Sequence, residues 1–155
     1  MARAPKAQST TQQRGSGVPR ELLAKLRSIC LRLPEAYEEP AWVGTRWMIR
    51  KRNFAHVVQI DAGWPPAYAR AAGSDGPLCV LTFRAPDSLR DALEDAGSRF
   101  FVPEWGTRWG TKVVGIKLVT KIDWDEVQTL IGESYRVLAP KSLTSRMSPD
   151  RKSRS

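Results

Sequence analysis

The stretch from Thr45 to Ile60, TRWMIRKRNFAHVVQI, limits the possible folds more than any other part of the chain, because it reads as two β-strands reversing on a basic turn. Trp47 and Ile49 alternate with Arg46, Met48 and Arg50. Beyond the turn, Phe54, His56, Val58 and Ile60 share one face opposite Ala55, Val57 and Gln59, the period of two expected of half-buried strands. Four polar residues, Arg50, Lys51, Arg52 and Asn53, occupy the reversal. A lone hairpin is marginal in water and needs further strands or a helix on its apolar side, so the rest of the chain must provide a layer.

The flanking segments provide it. Leu22, Leu23, Leu26, Ile29, Cys30 and Leu33 recur at helical spacing, with Pro19 suited to a first turn and Pro34 forcing a stop. Tyr37 to Val43, interrupted by Pro40, reads as an edge strand. Residues 61–77 hold three Gly and three Pro, which predicts a long loop with one helical turn at Ala67 to Ala72; its Trp64 and Tyr68 suggest a functional segment, as loops of that length often are. Leu78 to Phe83 predicts a strand, and Pro86 to Gly97 a second helix with Leu89, Ala92, Leu93 and Ala96 inward. A short strand at Arg99 to Val102 leads through a Trp-rich turn to a strand at Val113 to Val119. Asp123 and Glu126 then match a capping box for a last helix whose core side is Trp124, Val127, Leu130, Ile131, Tyr135 and Leu138. The order α-β-β-β-α-β-β-α predicts an α+β two-layer sandwich, an antiparallel sheet with helices on one face.

Composition divides the chain unevenly. The net charge is +9 over 155 residues, yet residues 1–20 carry +4, residues 141–155 another +4, and the 120 between them only +1. Residues 1–17 have no periodic apolar face and are expected to be a disordered basic tail; 143–155 are read as a second, leaving 18–142 as one domain. Basic tails attract phosphates through counterion release, and they also serve as solubilising ends. Cys30 and Cys79 lie in apolar contexts and form no CxxC pair, so both read as buried thiols, in keeping with a reducing cytoplasm. No apolar run approaches a membrane span and no apolar leader is evident; a cytoplasmic protein, monomeric and without membrane attachment, is the expectation.

Chemistry is sparsely encoded. His56 is the single histidine, which removes most metal-site and triad arrangements, and between Phe54 and Val58 it reads as a buried, hydrogen-bonded ring. GxGxxG, GxxxxGK[ST] and GxSxG are absent. Glu35, Glu38 and Glu39 read as a solvated turn rather than an acid/base pair, because general acid work requires burial. No catalytic residue, metal ligand or cofactor is expected, and no enzymatic activity. If Trp47, Ile49, Phe54, Val58, Ile60, Val114, Ile116 and Leu118 point inward, Arg46, Arg50 and Lys117 project from the opposite face, with Lys51, Arg52, Arg108 and Lys112 at nearby loops. Interleaved with Trp42, Trp105 or Trp109, such a surface suits phosphates and stacked bases; equally, antiparallel sheets often solvate one face with Arg and Lys.

The segments LPEAYEEPAW, KRNFAHV, FFVPEW, VVGIKL, DWDEV and ESYRVLAPKSL resemble the MmcQ/YjbR family of small bacterial proteins, over roughly Pro19 to Arg146. Lys51 and Phe54 match the family's hairpin pattern, and Ser134, Tyr135, Ala139, Pro140 and Lys141 its C-terminal one. The resemblance implies a frataxin- or secretion-chaperone-like α+β fold and a "double wing" DNA-binding role. It supplies no catalytic residue, and the long basic tails and near-neutral body depart from it. The expected function is phosphate contact with DNA through Arg46, Arg50, Lys51, Arg52, Arg108, Lys112, Lys117 and the tails, the alternative being a protein- or peptide-binding module.

Overall fold

A computed structural model describes residues 17–86, 91–93, 99–103, 105, 112–119 and 121–147. Its elements are α1 (Arg20–Cys30), β1 (Tyr37–Pro40), β2 (Thr45–Ile49), β3 (Arg52–Ile60), α2 (Pro66–Ala72), β4 (Leu78–Ala85), β5 (Phe100–Phe101), β6 (Lys112–Lys117), α3 (Trp124–Leu138) and α4 (Lys141–Thr144). The strands form one antiparallel sheet in the order β1-β2-β3-β4-β6-β5, backed by α1 and α3. The α+β sandwich predicted from periodicity is therefore the fold. Of the second predicted helix only residues 91–93 are described. They are helical, and Leu93 is buried in the core; the remainder of that prediction lies outside the described residues.

The helices form for the reasons their sequences suggest. Pro19 occupies the N-cap of α1, whose Leu26, Ile29 and Cys30 are buried. Asp123 caps α3 by accepting from the Asp125 and Glu126 amides at 3.1 and 3.2 Å, satisfying donors that a helix start leaves open. Glu126 does not complete the box. Its carboxylate instead receives Arg99 Nη1 at 2.6 Å, which ties the start of α3 to the approach to β5.

The principal core lies between the sheet and α1 and α3. Trp47, Ile49, Phe54, Ala55, Val57, Leu81, Phe83, Val114 and Ile116 meet Leu26, Ile131 and Tyr135 there. The inward set expected for β3 is corrected at this point, because Val58 and Ile60 face the other side. The cause is a β-bulge. Trp47 pairs with Ala55 but Met48 pairs with Asn53, so Phe54 is an extra residue, and one extra residue inverts the alternation beyond it. Phe54 and Ala55 both reach the main core, and Val57 follows.

The far face is covered too. Residues 61–77, expected as a loop with one helical turn at Ala67 to Ala72, contain α2 at that place, and its Ala69 and Ala72 pack with Val58, Ile60, Val80 and Phe101. This helix ends on Gly73 at φ 69, the left-handed cap glycine favours. Phe101 lies directly over Gly115, its ring filling the space a Cβ would need. The body also extends past residue 142: Leu143, assigned to the C-terminal tail by composition, is 2% exposed within the main core.

Two neighbouring residues of α3 join the layers. Ser134 Oγ donates to the Phe54 carbonyl at 2.6 Å and accepts from the Arg84 amide at 2.8 Å, so one buried hydroxyl spans the bulge and β4. The Tyr135 hydroxyl donates to the Pro34 carbonyl at 2.7 Å, while its ring meets Phe54 edge-on. Removing the hydroxyl leaves two buried backbone groups unpaired, so Ser134→Ala is expected to lower stability by about 1–3 kcal/mol in urea denaturation; a change below about 0.5 kcal/mol, typical of surface positions, would contradict this role.

Candidate nucleic-acid interface

The β2–β3 reversal is a two-residue turn. Ile49 pairs with Arg52, and Arg50 and Lys51 between them have φ of 49° and 66°. Positive φ at both central residues is the type I′ requirement, usually met by Asn-Gly. Here two long cationic side chains occupy it, although the left-handed region costs a non-glycine residue roughly 1–2 kcal/mol. Arg50, Lys51 and Arg52 are all exposed.

Antiparallel pairing brings other cations to the same end of the sheet. β3 begins there, β4 ends there and β6 begins there, with Ala55 opposite Phe83 and Ala85 opposite Lys112. Arg52, Arg84 and Lys112 thus belong to three adjacent strands, within roughly 10 Å from β3 to β6 at about 4.8 Å per spacing. Arg84 was not among the sequence-derived candidates, although its place as the one charged residue of LCVLTFRA marked it. Its pKa is lowered, first by burial and then by the charge of Arg52, so positive groups crowd this end. Arg146 joins them from the C-terminal side, since it and Arg50 contact the two oxygens of Glu35, at 3.4 and 3.1 Å. The basic run containing Arg151, Lys152 and Arg154 therefore follows a residue anchored beside the turn.

The remaining candidates do not gather here. Arg46 lies opposite His56 in mid-sheet and donates from Nε to Glu39 at 2.8 Å. Lys117 pairs with Val80 at the other end of β6, five residues from Lys112 and so about 16 Å away along the strand. Arg108 lies outside the described residues, as does Trp109. The far face, expected to be uncovered beneath Arg46 and Lys117, carries α2 and Phe101. Glu35, Glu38 and Glu39, read as a solvated turn, pair with Arg50 and Arg146, with Arg27, and with Arg46. Glu38 also accepts from Trp47 Nε1 at 2.9 Å; the Arg27 hydrogen bond holds its carboxyl below the ordinary range, with Trp47 and the Arg27 charge adding to the effect against burial.

On the far face beside this end lies a narrow cleft whose lining includes Asn53, His56, Tyr68, Thr82, Arg84 and Trp105. His56 Nε2 lies 2.7 Å from the Val43 carbonyl and Nδ1 lies 3.2 Å from the Tyr68 hydroxyl. A carbonyl only accepts, so Nε2 carries the proton and Nδ1 accepts from Tyr68. Tyr68 packs edge-on to His56 and 5.3 Å from Trp105, and burial pushes its hydroxyl pKa up to about 12. Tyr68 is thus half-buried rather than exposed, whereas Trp42 is 84% accessible and set against Trp64. Both cysteines are buried free thiols. Among the described residues no helix is long and apolar enough to cross a membrane, and no group of three His, Cys, Asp or Glu could hold a metal ion.

Burial lowers the His56 pKa, and the nearby Arg46 charge lowers it further, against the hydrogen bond to Val43. The unfolded chain therefore takes up a proton at higher pH than the folded one, so stability is complete above the unfolded value of about 6.5 and declines as pH falls below it. Thermal unfolding of His56→Gln is expected to lose this mild-acid slope; a slope identical to wild type would assign it to other groups.

The YjbR family model matches residues 31–137, a span running from the end of α1 to the last turn of α3. Comparisons with curated proteins and with solved structures returned no match. The matched span includes the turn, the bulge and the Ser134–Tyr135 connection that hold the two layers together, and on that match the chain belongs to the YjbR family.

Proposed function

We propose that this protein binds DNA through its phosphates, without reading sequence and without catalysing a reaction, using the sheet end formed by Lys51, Arg52, Arg84 and Lys112 and the basic run after Arg146. The observation that carries this reading is Lys51. A charged residue occupies a left-handed position where glycine is relaxed, and conformational strain held at an exposed cationic tip accords with a binding role. The neighbouring cations on β4 and β6 extend the positive surface, and Glu35 alone cannot neutralise both Arg50 and Arg146. Arg46 contributes little to it, because Glu39 balances its charge, and Lys117 stands apart from it.

A peptide- or protein-binding role is the second reading, favoured by one observation, the outward aromatic surface of Trp42 over Trp64. A protein partner retained after nuclease treatment by wild type but lost from Trp42→Ala would shift the assignment to that surface.

Lys51→Gly separates strain from charge. It is expected to raise stability by about 1 kcal/mol through relief of the left-handed conformation, while weakening DNA binding and reducing the slope of log K against log salt by about 0.9, one phosphate contact. Unchanged DNA affinity in this variant would remove the turn from the interface. Wild-type affinity should fall by roughly 10³ between about 50 and 200 mM salt if six phosphates are contacted; salt-independent binding would contradict the electrostatic mechanism.

A further inference from the structure

We infer that Arg50 and Arg146 form a two-arginine subsite for one backbone phosphate, which Glu35 occupies in the free protein and yields when nucleic acid binds. The inference rests on the DNA reading and deepens it, by naming a contact that is exchanged rather than simply added. The first observation is a contrast among three neighbouring glutamates. Glu38 is gripped by Arg27 at 2.8 and 2.9 Å, one bond to each oxygen, and by Trp47 Nε1 at 2.9 Å; Glu39 receives Arg46 Nε at 2.8 Å. Glu35 is held more loosely, by Arg50 at 3.1 and 3.3 Å on Oε1 and by Arg146 at 3.4 Å on Oε2. It is the glutamate beside the cationic turn.

Stability does not account for this arrangement. The side chains of Glu35, Arg50 and Arg146 are 47%, 53% and 59% exposed, and ion pairs so placed contribute little. Yet Glu35 has φ of 59° and Arg50 of 49°, so both partners hold a left-handed backbone that disfavours side chains. Strain kept at an exposed charged contact accords with a functional role. Charge is also unbalanced there. Two guanidiniums face one carboxylate, with Lys51 and Arg52 exposed alongside.

The chemistry selects the ligand. A carboxylate spreads one negative charge over two oxygens on a single centre, a phosphodiester spreads one over its two non-bridging oxygens, and arginine receives either. Glu35 thus stands where a phosphate fits. Three backbone anchors keep the place formed. Arg50 is fixed by the two-residue turn, Arg146 by its amide on the Leu143 carbonyl at 2.9 Å, just past the buried Leu143, and the Glu35 loop by the Tyr135 hydroxyl on the Pro34 carbonyl at 2.7 Å. That hydroxyl lies among all three charges: burial raises its pKa, Glu35 raises it further, and Arg146 and Arg50 oppose. Donors already held in place lose less freedom on binding, so exchanging a loose carboxylate contact for a phosphate one is inexpensive.

The test is fluorescence anisotropy of a labelled DNA duplex titrated with the full-length chain, beginning at about 50 mM salt. Glu35→Gln removes the competing charge at nearly constant size and is expected to tighten binding about threefold or more, the gain shrinking as salt rises. Glu21→Gln adds the same unit of charge in the first turn of α1, roughly 14 Å from the helix end that leads to Glu35, and should change affinity by less than about twofold. When Arg50→Gln and Arg146→Gln are both present, Glu35→Gln should bring no gain. Equal tightening by Glu35→Gln and Glu21→Gln, or a gain that survives loss of both arginines, would reduce Glu35 to general repulsion of DNA and overturn the subsite. Urea midpoints of Glu35→Gln and wild type should coincide, and a large drop would make the carboxylate a structural clamp instead. Wild-type protein that fails to bind the duplex would sink the DNA reading itself, an outcome distinct from binding that is indifferent to Glu35.

Discussion

One extra residue in β3 governs the organisation of the molecule. Phe54, opposite the step from Trp47 to Met48, sends itself and Ala55 into the same core and thereby directs Val57 inward and His56, Val58 and Ile60 outward. A β-bulge of this kind leaves backbone groups out of the regular ladder. The Ser134 hydroxyl meets the Phe54 carbonyl from α3 and accepts the neighbouring amide of Arg84, so the irregular step is satisfied only when helix and sheet are in register. The Ser-Tyr pair of α3 is thus a structural clasp, its Tyr135 securing the loop after α1.

The bulge also creates the far-face chemistry. Had β3 kept strict alternation, His56 would have entered the main core beside Phe54. Instead it sits beneath Tyr68, bonded to Val43, in a layer made by α2 and Phe101. The imidazole is neutral there because burial and the adjacent Arg46 both disfavour its charged form. The hydrogen bonds at both ring nitrogens orient it, and with Trp105 they close the small donor-rich cleft. A single histidine therefore functions here as a fixed part of a wall.

Charge is arranged by pairing rather than by number. The near-neutral body conceals a local asymmetry, because Glu35, Glu38 and Glu39 are all spent on arginines from other elements. Exposed pairs contribute little to stability, but these offset the charge of Arg46 and Arg27, whereas Lys51 stands exposed at the turn. The two arginines that share Glu35 set Arg146 beside the turn.

The element order, the antiparallel hairpins, the capped last helix and the buried thiols were legible in the sequence, because each rests on local periodicity, proline and glycine punctuation, or capping residues. The helical turn at Ala67 to Ala72 was legible too, though not its packing on the far face, and Leu143 was obscured by the basic residues that follow. What only the tertiary structure decided was the facing of β3 beyond the bulge, the acidic partners of Arg27, Arg46, Arg50 and Arg146, and the meeting of Lys51, Arg52, Arg84 and Lys112. Those depend on which residues stand opposite one another across strands and helices far apart in the chain. Register is a property of paired segments, and one inserted residue changes it without altering the composition of either.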